Sequence, residues 1–204
     1  MKERSVDVVI LGAGTAGLTA RRAAEKAGAG TLMIDPGPLG TTCARVGCMP
    51  SKLFIAAADA AHQVEEADRF GVEASARVDG RRVMQRVREK RDGFVDGVLR
   101  TLSEIRGKDA FLDGAGRFVE PNVLEVDSHT RVHAKAVVLA TGAETFVPGP
   151  YRGLGEPVLT VENFFDLDDL PESVLVVGTG AIGMEMGQAL TRLKVRTTVL
   201  GVAD

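Results

Sequence analysis

The segment Gly12-Ala13-Gly14-Thr15-Ala16-Gly17 constrains this chain's fold more than any other. It follows a short apolar run at 8–11 and precedes an Ala- and Arg-rich stretch that ends near Ala27, where Gly28 and Gly30 stop the helix. A glycine triplet between a buried strand and a helix reads as a dinucleotide turn. Gly12 allows the tight turn, Gly14 lets the backbone approach a pyrophosphate, and Gly17 lets the helix pack on the strand. The anion then lies at the positive end of the helix. Residues 31–34 form the next strand and complete a βαβ unit. Asp35 closes that strand, where a carboxylate accepts hydrogen bonds from ribose hydroxyls. A plain strand-to-helix turn is the competing reading.

The pattern recurs near the end of the chain. A strand at 174–177 meets Gly178-Thr179-Gly180-Ala181-Ile182-Gly183, then a helix over 184–193 and a strand over 195–200. Gly178, Gly180 and Gly183 repeat the triplet. The acidic partner does not recur: Leu200 is followed by Gly201, and Asp204 comes too late. NAD and NADP therefore both stay open at this second turn.

Between the turns lie the only two cysteines, Cys43 and Cys48. A close pair in a reducing compartment points to redox or metal chemistry. Zinc needs two further ligands, and none of His62, His129 and His133 stands at a ligand-like spacing. In a regular helix an i, i+5 pair sits ~8.7 Å apart between Cα atoms. A disulfide needs less than about 7 Å. The pair therefore bridges only if the helix start is unwound, and Gly47 and Pro50 are expected to supply that distortion. A strained bridge of this kind is labile, as catalytic disulfides are. The alternative is two unconnected core cysteines.

The remaining chain reads as α/β. Residues 43–66 are expected to be mostly helical, with an apolar stripe through Leu53, Ile55, Ala56 and Ala60. A second long helix is expected over 83–105, its charged side a solvated face. Short strands span 111–140, the last running into Ala140-Thr141-Gly142. Residues 148–171, with Pro, Gly and acidic side chains, read as a linker. The formal net charge is -3, so no basic face is offered to nucleic acid. No apolar run approaches a membrane span. The start, Met1-Lys2-Glu3-Arg4, makes a poor signal peptide, and a cytoplasmic location is expected.

In this order, the Gly12 turn, the cysteine segment, the Ala140-Thr141-Gly142 strand end and the Gly178 turn resemble class I pyridine nucleotide-disulfide oxidoreductases. The resemblance covers essentially the whole chain and is strongest to the dihydrolipoamide dehydrogenase branch. That branch usually reads G-G-T-C-L-N-V-G-C-I-P-S-K, and this chain departs from it at Thr41, Ala44, Arg45 and Met49.

The resemblance implies a Rossmann-like FAD-binding domain with a three-stranded β-meander over 1–150, and a linker over 151–170. The start of a second Rossmann-like, NAD(P)-binding domain would follow over 171–204. It makes Cys48 the flavin-proximal thiol and Cys43 the interchange thiol. It puts Lys52 near the flavin, paired with Glu185. It places Thr41, Thr42, Ala115, Gly116, Thr141 and Gly142 with the cofactor. Electrons would pass from a small dithiol substrate, or a lipoyl-domain protein, through the cysteines and FAD to NAD, with NADP as the other acceptor. The family is longer than this chain and adds a His–Glu pair from a dimerisation domain. A fragment of a homodimeric enzyme, unable to complete turnover, is therefore expected. The alternatives are a glutathione- or mercuric-reductase-type enzyme and a non-catalytic flavin-binding redox module. A flavin monooxygenase would leave the cysteines without a role.

Overall fold

The apolar runs of the first strands are buried on both faces. Strand β1 (Lys2–Leu11) turns Val9 and Leu11 into one core and Val8 and Ile10 into another. Strand β2 (Thr31–Asp35) does the same with Leu32 and Ile34 against Met33. Continuous apolar strands of this kind belong to parallel sheets covered on both sides.

The computed structural model describes residues 1–155 and 157–201. It divides into two compact units, Met1–Arg45 with Phe94–Phe146, and Val46–Gly93 with Val147–Asp204.

The first unit holds a six-stranded sheet in the order β3-β2-β1-β6-β5-β4. Its further strands are β3 (Phe111–Asp113), β4 (Gly116–Glu120), β5 (Val123–Val126) and β6 (Thr130–Leu139). Strands β1, β2, β3 and β6 are parallel, with Leu11 opposite both Ile34 and Leu139. Strands β4, β5 and β6 form an antiparallel three-stranded meander. The Rossmann-like α/β class with a meander is therefore what the chain adopts. Helix α1 (Thr15–Lys26) buries Gly17 and Leu18. Ile10, Leu32, Met33 and Ile34 are fully buried. Each contributes about 1.5–3 kcal/mol relative to exposure.

Residues 43–66 form two helices, α2 (Thr42–Arg45) and α3 (Cys48–Glu65). They break at Val46 and Gly47, where Gly47 has φ -112 and ψ -113. Pro50 lies in the first turn of α3, four residues after Val46, so no helical hydrogen bond runs back from it to the Val46 carbonyl and the break falls there. The next residue makes a regular one: the Ser51 N–H donates to the Gly47 carbonyl at 3.1 Å. The long helix α4 (Gly80–Gly107) extends beyond 83–105 at both ends. Its start is set by Asp79, whose Oδ1 accepts the Arg82 N–H at 3.1 Å as an N-cap.

The second unit contains α3, the first part of α4, β7 (Ser173–Val177), α5 (Ala181–Arg192) and β8 (Arg196–Leu200). Strands β7 and β8 are parallel, with Val177 opposite Leu200. Phe54 of α3 meets Phe164 and Phe165 edge-on, with ring centroids 5.5 and 6.4 Å apart. This is the arrangement aromatic quadrupoles favour. The segment 151–170, linker-like in composition, is thus anchored by two buried aromatic side chains.

Candidate functional site

At the first turn Gly12 has φ +104, and its N–H donates to the Ile34 carbonyl at 2.8 Å. A Cβ on Gly12 would stand 2.1 Å from the Ala140 oxygen, and one on Gly17 would stand 1.9 Å from the Gly12 oxygen. Both positions are closed to any side chain. Gly14 is different, because a Cβ there would meet nothing within 4 Å. Gly14 also caps α1 without a side-chain hydrogen bond, and the first turn carries no acidic residue. The leading amides of α1 are therefore left to an anion that approaches over Gly14. A pyrophosphate fits that opening.

Asp35 clamps the turn from the end of β2. Its Oδ2 accepts the Ala13 N–H at 2.5 Å and its Oδ1 accepts the Gly37 N–H at 2.6 Å. Each carboxylate oxygen has a second lone pair for a ribose hydroxyl. Gly116 opens β4 so close to β1 that a Cβ would meet Leu11 Cδ2 at 2.6 Å. Beside it the Ala115 N–H donates to Asp127 Oδ1 at 3.1 Å. Thr141 and Gly142 follow β6, and the Thr141 nitrogen lies 3.1 Å from where a Gly12 Cβ would stand. Gly12, Gly17, Asp35, Gly116 and Thr141 are thus gathered at the carboxyl ends of β1, β2 and β6. Open α/β sheets bind ligands there.

Thr41 is buried and takes a left-handed φ of 61. Its Oγ1 accepts the Ala44 N–H at 3.1 Å and its carbonyl accepts the Arg45 N–H at 3.0 Å. It is the cap of α2, a role not recognised from the sequence. The signal was present: Thr41 stands where the usual motif has glycine, the residue suited to positive φ. Thr42 is exposed and Cys43 half-buried. Gly40 has φ +114, and a Cβ on it would meet Val95 Cγ1 at 2.9 Å and Arg45 Cδ at 3.2 Å.

Cys48 begins α3 as an exposed free thiol. Neither cysteine is in a disulfide, so the expected Cys43–Cys48 bridge is not formed in this structure. Lys52 lies one turn further along the same helix face. Its ammonium donates to Glu185 of α5 at 2.7 Å (Oε1) and 2.6 Å (Oε2). The side chains are 59% and 45% exposed, so the pair contributes under about 1 kcal/mol to stability. What it does is join α3 to α5.

The second turn repeats the backbone of the first, although a Cβ on Gly178 would meet nothing within 4 Å, unlike one on Gly12. Gly178 has φ +116, and a Cβ on Gly183 would stand 2.1 Å from the Gly178 oxygen. Gly180 faces open space and caps α5 without a side-chain bond or a first-turn acid. The Gly178 N–H donates to the Leu200 carbonyl at 2.8 Å, as Gly12 does to Ile34. That equivalence puts Gly201 in the place of Asp35. No carboxylate stands there to hold a ribose or repel a 2′-phosphate, and Asp204 lies outside the described residues.

Elsewhere the ionised groups form structural pairs. The Lys135 ammonium and the Gly30 N–H hold the Asp7 carboxyl below the usual carboxylate range. The Arg131 guanidinium, with a smaller effect from Arg117, does the same for Glu125. Among the described residues no group of His, Cys, Asp and Glu is fit to hold a metal ion. None of their helices is long and apolar enough to cross a membrane.

The family model for pyridine nucleotide-disulphide oxidoreductases matches residues 6–204. Dihydrolipoyl dehydrogenase of Mycobacterium leprae is 35% identical over 203 residues, covering 95% of this chain and 43% of that protein. Dihydrolipoyl dehydrogenase of Bacillus subtilis is 33% identical over 214 residues, covering 97% of this chain and 44% of that protein. Among solved structures, the HOCl-induced flavoprotein disulfide reductase RclA of Escherichia coli aligns with a TM-score of 0.76 at 25% identity. The match covers 97% of this chain and 42% of that one. The chain thus spans less than half the length of the curated relatives it matches.

Proposed function

This chain belongs to the pyridine nucleotide-disulphide oxidoreductase family, and on that premise we propose that it carries the flavin and dithiol part of a dihydrolipoamide dehydrogenase-like enzyme. FAD is held by the Gly12 turn, with Asp35 on the ribose and Thr41, Thr42, Ala115, Gly116, Thr141 and Gly142 around the cofactor. NAD or NADP is held by the Gly178 turn, with Gly180 facing its pyrophosphate. Residues 1–150 are assigned to the flavin domain, 151–170 to the connection and 171–204 to the start of the nicotinamide domain. The substrate is dihydrolipoamide, free or on a lipoyl-domain protein. The whole enzyme is taken as a cytoplasmic homodimer, since a cycling disulfide suits a reducing compartment.

The observation that carries this reading is the break at Val46 and Gly47. An unbroken helix would hold an i, i+5 pair too far apart to bridge. In the oxidised pair, a substrate thiolate attacks one sulfur of the Cys43–Cys48 disulfide. The S–S bond breaks, a mixed disulfide forms and the second cysteine leaves as thiolate. The second substrate thiolate then closes the substrate's own disulfide and releases the first cysteine. Two electrons have passed from substrate to the pair. Bound FAD supplies the two-electron carrier that accepts them next. Lys52, fixed by Glu185, keeps a positive charge on the Cys48 side of α3 while negative charge arrives there.

The test uses the chain with its pair pre-oxidised. Dihydrolipoamide is expected to be oxidised to lipoamide at one equivalent per pair, much faster than glutathione at equal thiol concentration. Equal rates for the two thiols would remove the substrate assignment.

A further inference from the structure

We propose that Thr41 is a positioning residue for Cys43, tying down the single turn that carries this thiol and so setting how readily the Cys43–Cys48 disulfide closes. This rests on the dithiol reading above.

Thr41 has φ 61. A β-branched side chain is rarely held in that region, and such strain persists only where the surroundings over-determine it. Here they do. Thr41 is buried to 8% exposure, one of two buried polar side chains among the described residues. Both of its oxygens serve the turn that follows. Oγ1 takes the Ala44 N–H at 3.1 Å, and the carbonyl takes the Arg45 N–H at 3.0 Å. That turn, Thr42–Arg45, has four residues. A helix so short does not persist on its own hydrogen bonds. Its far end folds back over the same spot, since the Arg45 stem lies across Gly40. The turn that carries Cys43 is therefore tied at its start by both oxygens of Thr41. A glycine, the usual residue here, accepts the positive φ without strain and offers no hydroxyl. Thr41 gives up backbone ease for a side-chain tie.

The consequence is chemical. With glutathione disulfide as oxidant, one cysteine thiolate attacks it. The glutathione S–S bond breaks, a protein–glutathione mixed disulfide forms and a glutathione thiolate leaves. The second cysteine thiolate then attacks the mixed disulfide, closes Cys43–Cys48 and releases the second glutathione. Two electrons move from the pair to glutathione disulfide, and the two cysteine protons end on the glutathione thiolates. Ring closure depends on effective concentration, which rises when one partner is held still.

The 204-residue chain is equilibrated in glutathione redox buffers, trapped with an alkylating agent and quantified by mass. Thr41→Val removes the hydroxyl and keeps the shape, whereas Thr41→Ser keeps the oxygen. Thr41→Val is expected to lower the closing constant about fivefold, the value of one helix cap, while Thr41→Ser stays within about twofold. Thr130→Val is the control, because it removes the other buried polar side chain and its contact with His129 Nδ1 at 2.7 Å. It is expected to lower the melting temperature without moving the constant. Should Thr41→Val fail to fold, Thr41→Gly, relaxed at positive φ, is expected to show the same fall. An unchanged constant in the folded variant overturns the proposal, as does an equal fall in Thr130→Val. A wild-type chain that never closes the disulfide instead removes the dithiol reading and this proposal with it.

Discussion

Replacing Gly14 by alanine separates binding from folding at the flavin turn. Gly14 has φ -75 and ψ -174, a conformation open to any residue, and its Cβ would meet nothing within 4 Å. The folding cost is that of a poorer cap, under about 1 kcal/mol. In the proposed flavin site the added methyl stands where a phosphate oxygen would come. A carbon keeps oxygen at about 3.5 Å, against about 2.9 Å for an amide N–H bond. Losing one charge-assisted bond of about 1.5–3 kcal/mol weakens FAD binding roughly 10- to 100-fold.

Gly12→Ala should behave oppositely. Its φ of +104 is strained for alanine, and the Cβ would stand 2.1 Å from the Ala140 oxygen. Ala140 must withdraw by roughly 1.3 Å to reach ordinary contact, which breaks its N–H bond to the Leu11 carbonyl at 2.8 Å. Strain and the lost bond together cost about 2–4 kcal/mol. The melting temperature falls by roughly 5–15 °C. The assays are flavin fluorescence titration and thermal melting of the three proteins side by side. Undiminished FAD affinity in Gly14→Ala, or a wild-type melting point in Gly12→Ala, would refute the steric reasoning.

Phe54→Ala empties the centre of the three-ring cluster, so the urea midpoint of the second unit should drop by about 3–5 kcal/mol equivalent. Lys52→Met breaks an exposed pair and should leave melting nearly unchanged, within about 1 kcal/mol. Alkylation of Cys48 should nonetheless slow severalfold, and an unchanged rate would deny Lys52 its electrostatic role. Asp7 is held below its ordinary range, first by the Lys135 hydrogen bond. A depressed carboxyl adds stability above its unfolded value and loses it as pH falls through the folded one. Asp7→Asn should therefore melt lower than wild type at neutral pH, and the gap should close in acid. Lys135 is raised by the same contact. Its share is present below the ordinary lysine range and disappears as pH rises through the raised value.

The glycine turns were legible because their sterics leave one solution. Gly12 and Gly17 have no room for a Cβ and Gly14 has no neighbour, as the spacing requires. The placing of Lys52 beside Glu185 was available only through the resemblance, since nothing in their local patterns links α3 to α5. Asp79 was readable as a cap but sat inside a stretch that shows no helical period. Phe164 and Phe165 carry no periodic signal, so a segment rich in Pro, Gly and acids looked loose although its aromatics are buried. Gly47 and Pro50 were legible as breakers of the helix start, and the break falls at Val46 and Gly47. Thr41 showed as a departure from a motif, while the sign of its φ needed the backbone.

The most direct measurement is the visible spectrum of the FAD-loaded chain during anaerobic titration with dihydrolipoamide, in wild type and in Cys48→Ser. Wild type should develop a long-wavelength absorption band as the dithiol forms, and Cys48→Ser should develop none. A band that persists in Cys48→Ser, or never forms in wild type, contradicts the assignment of this cysteine pair to flavin-linked electron transfer.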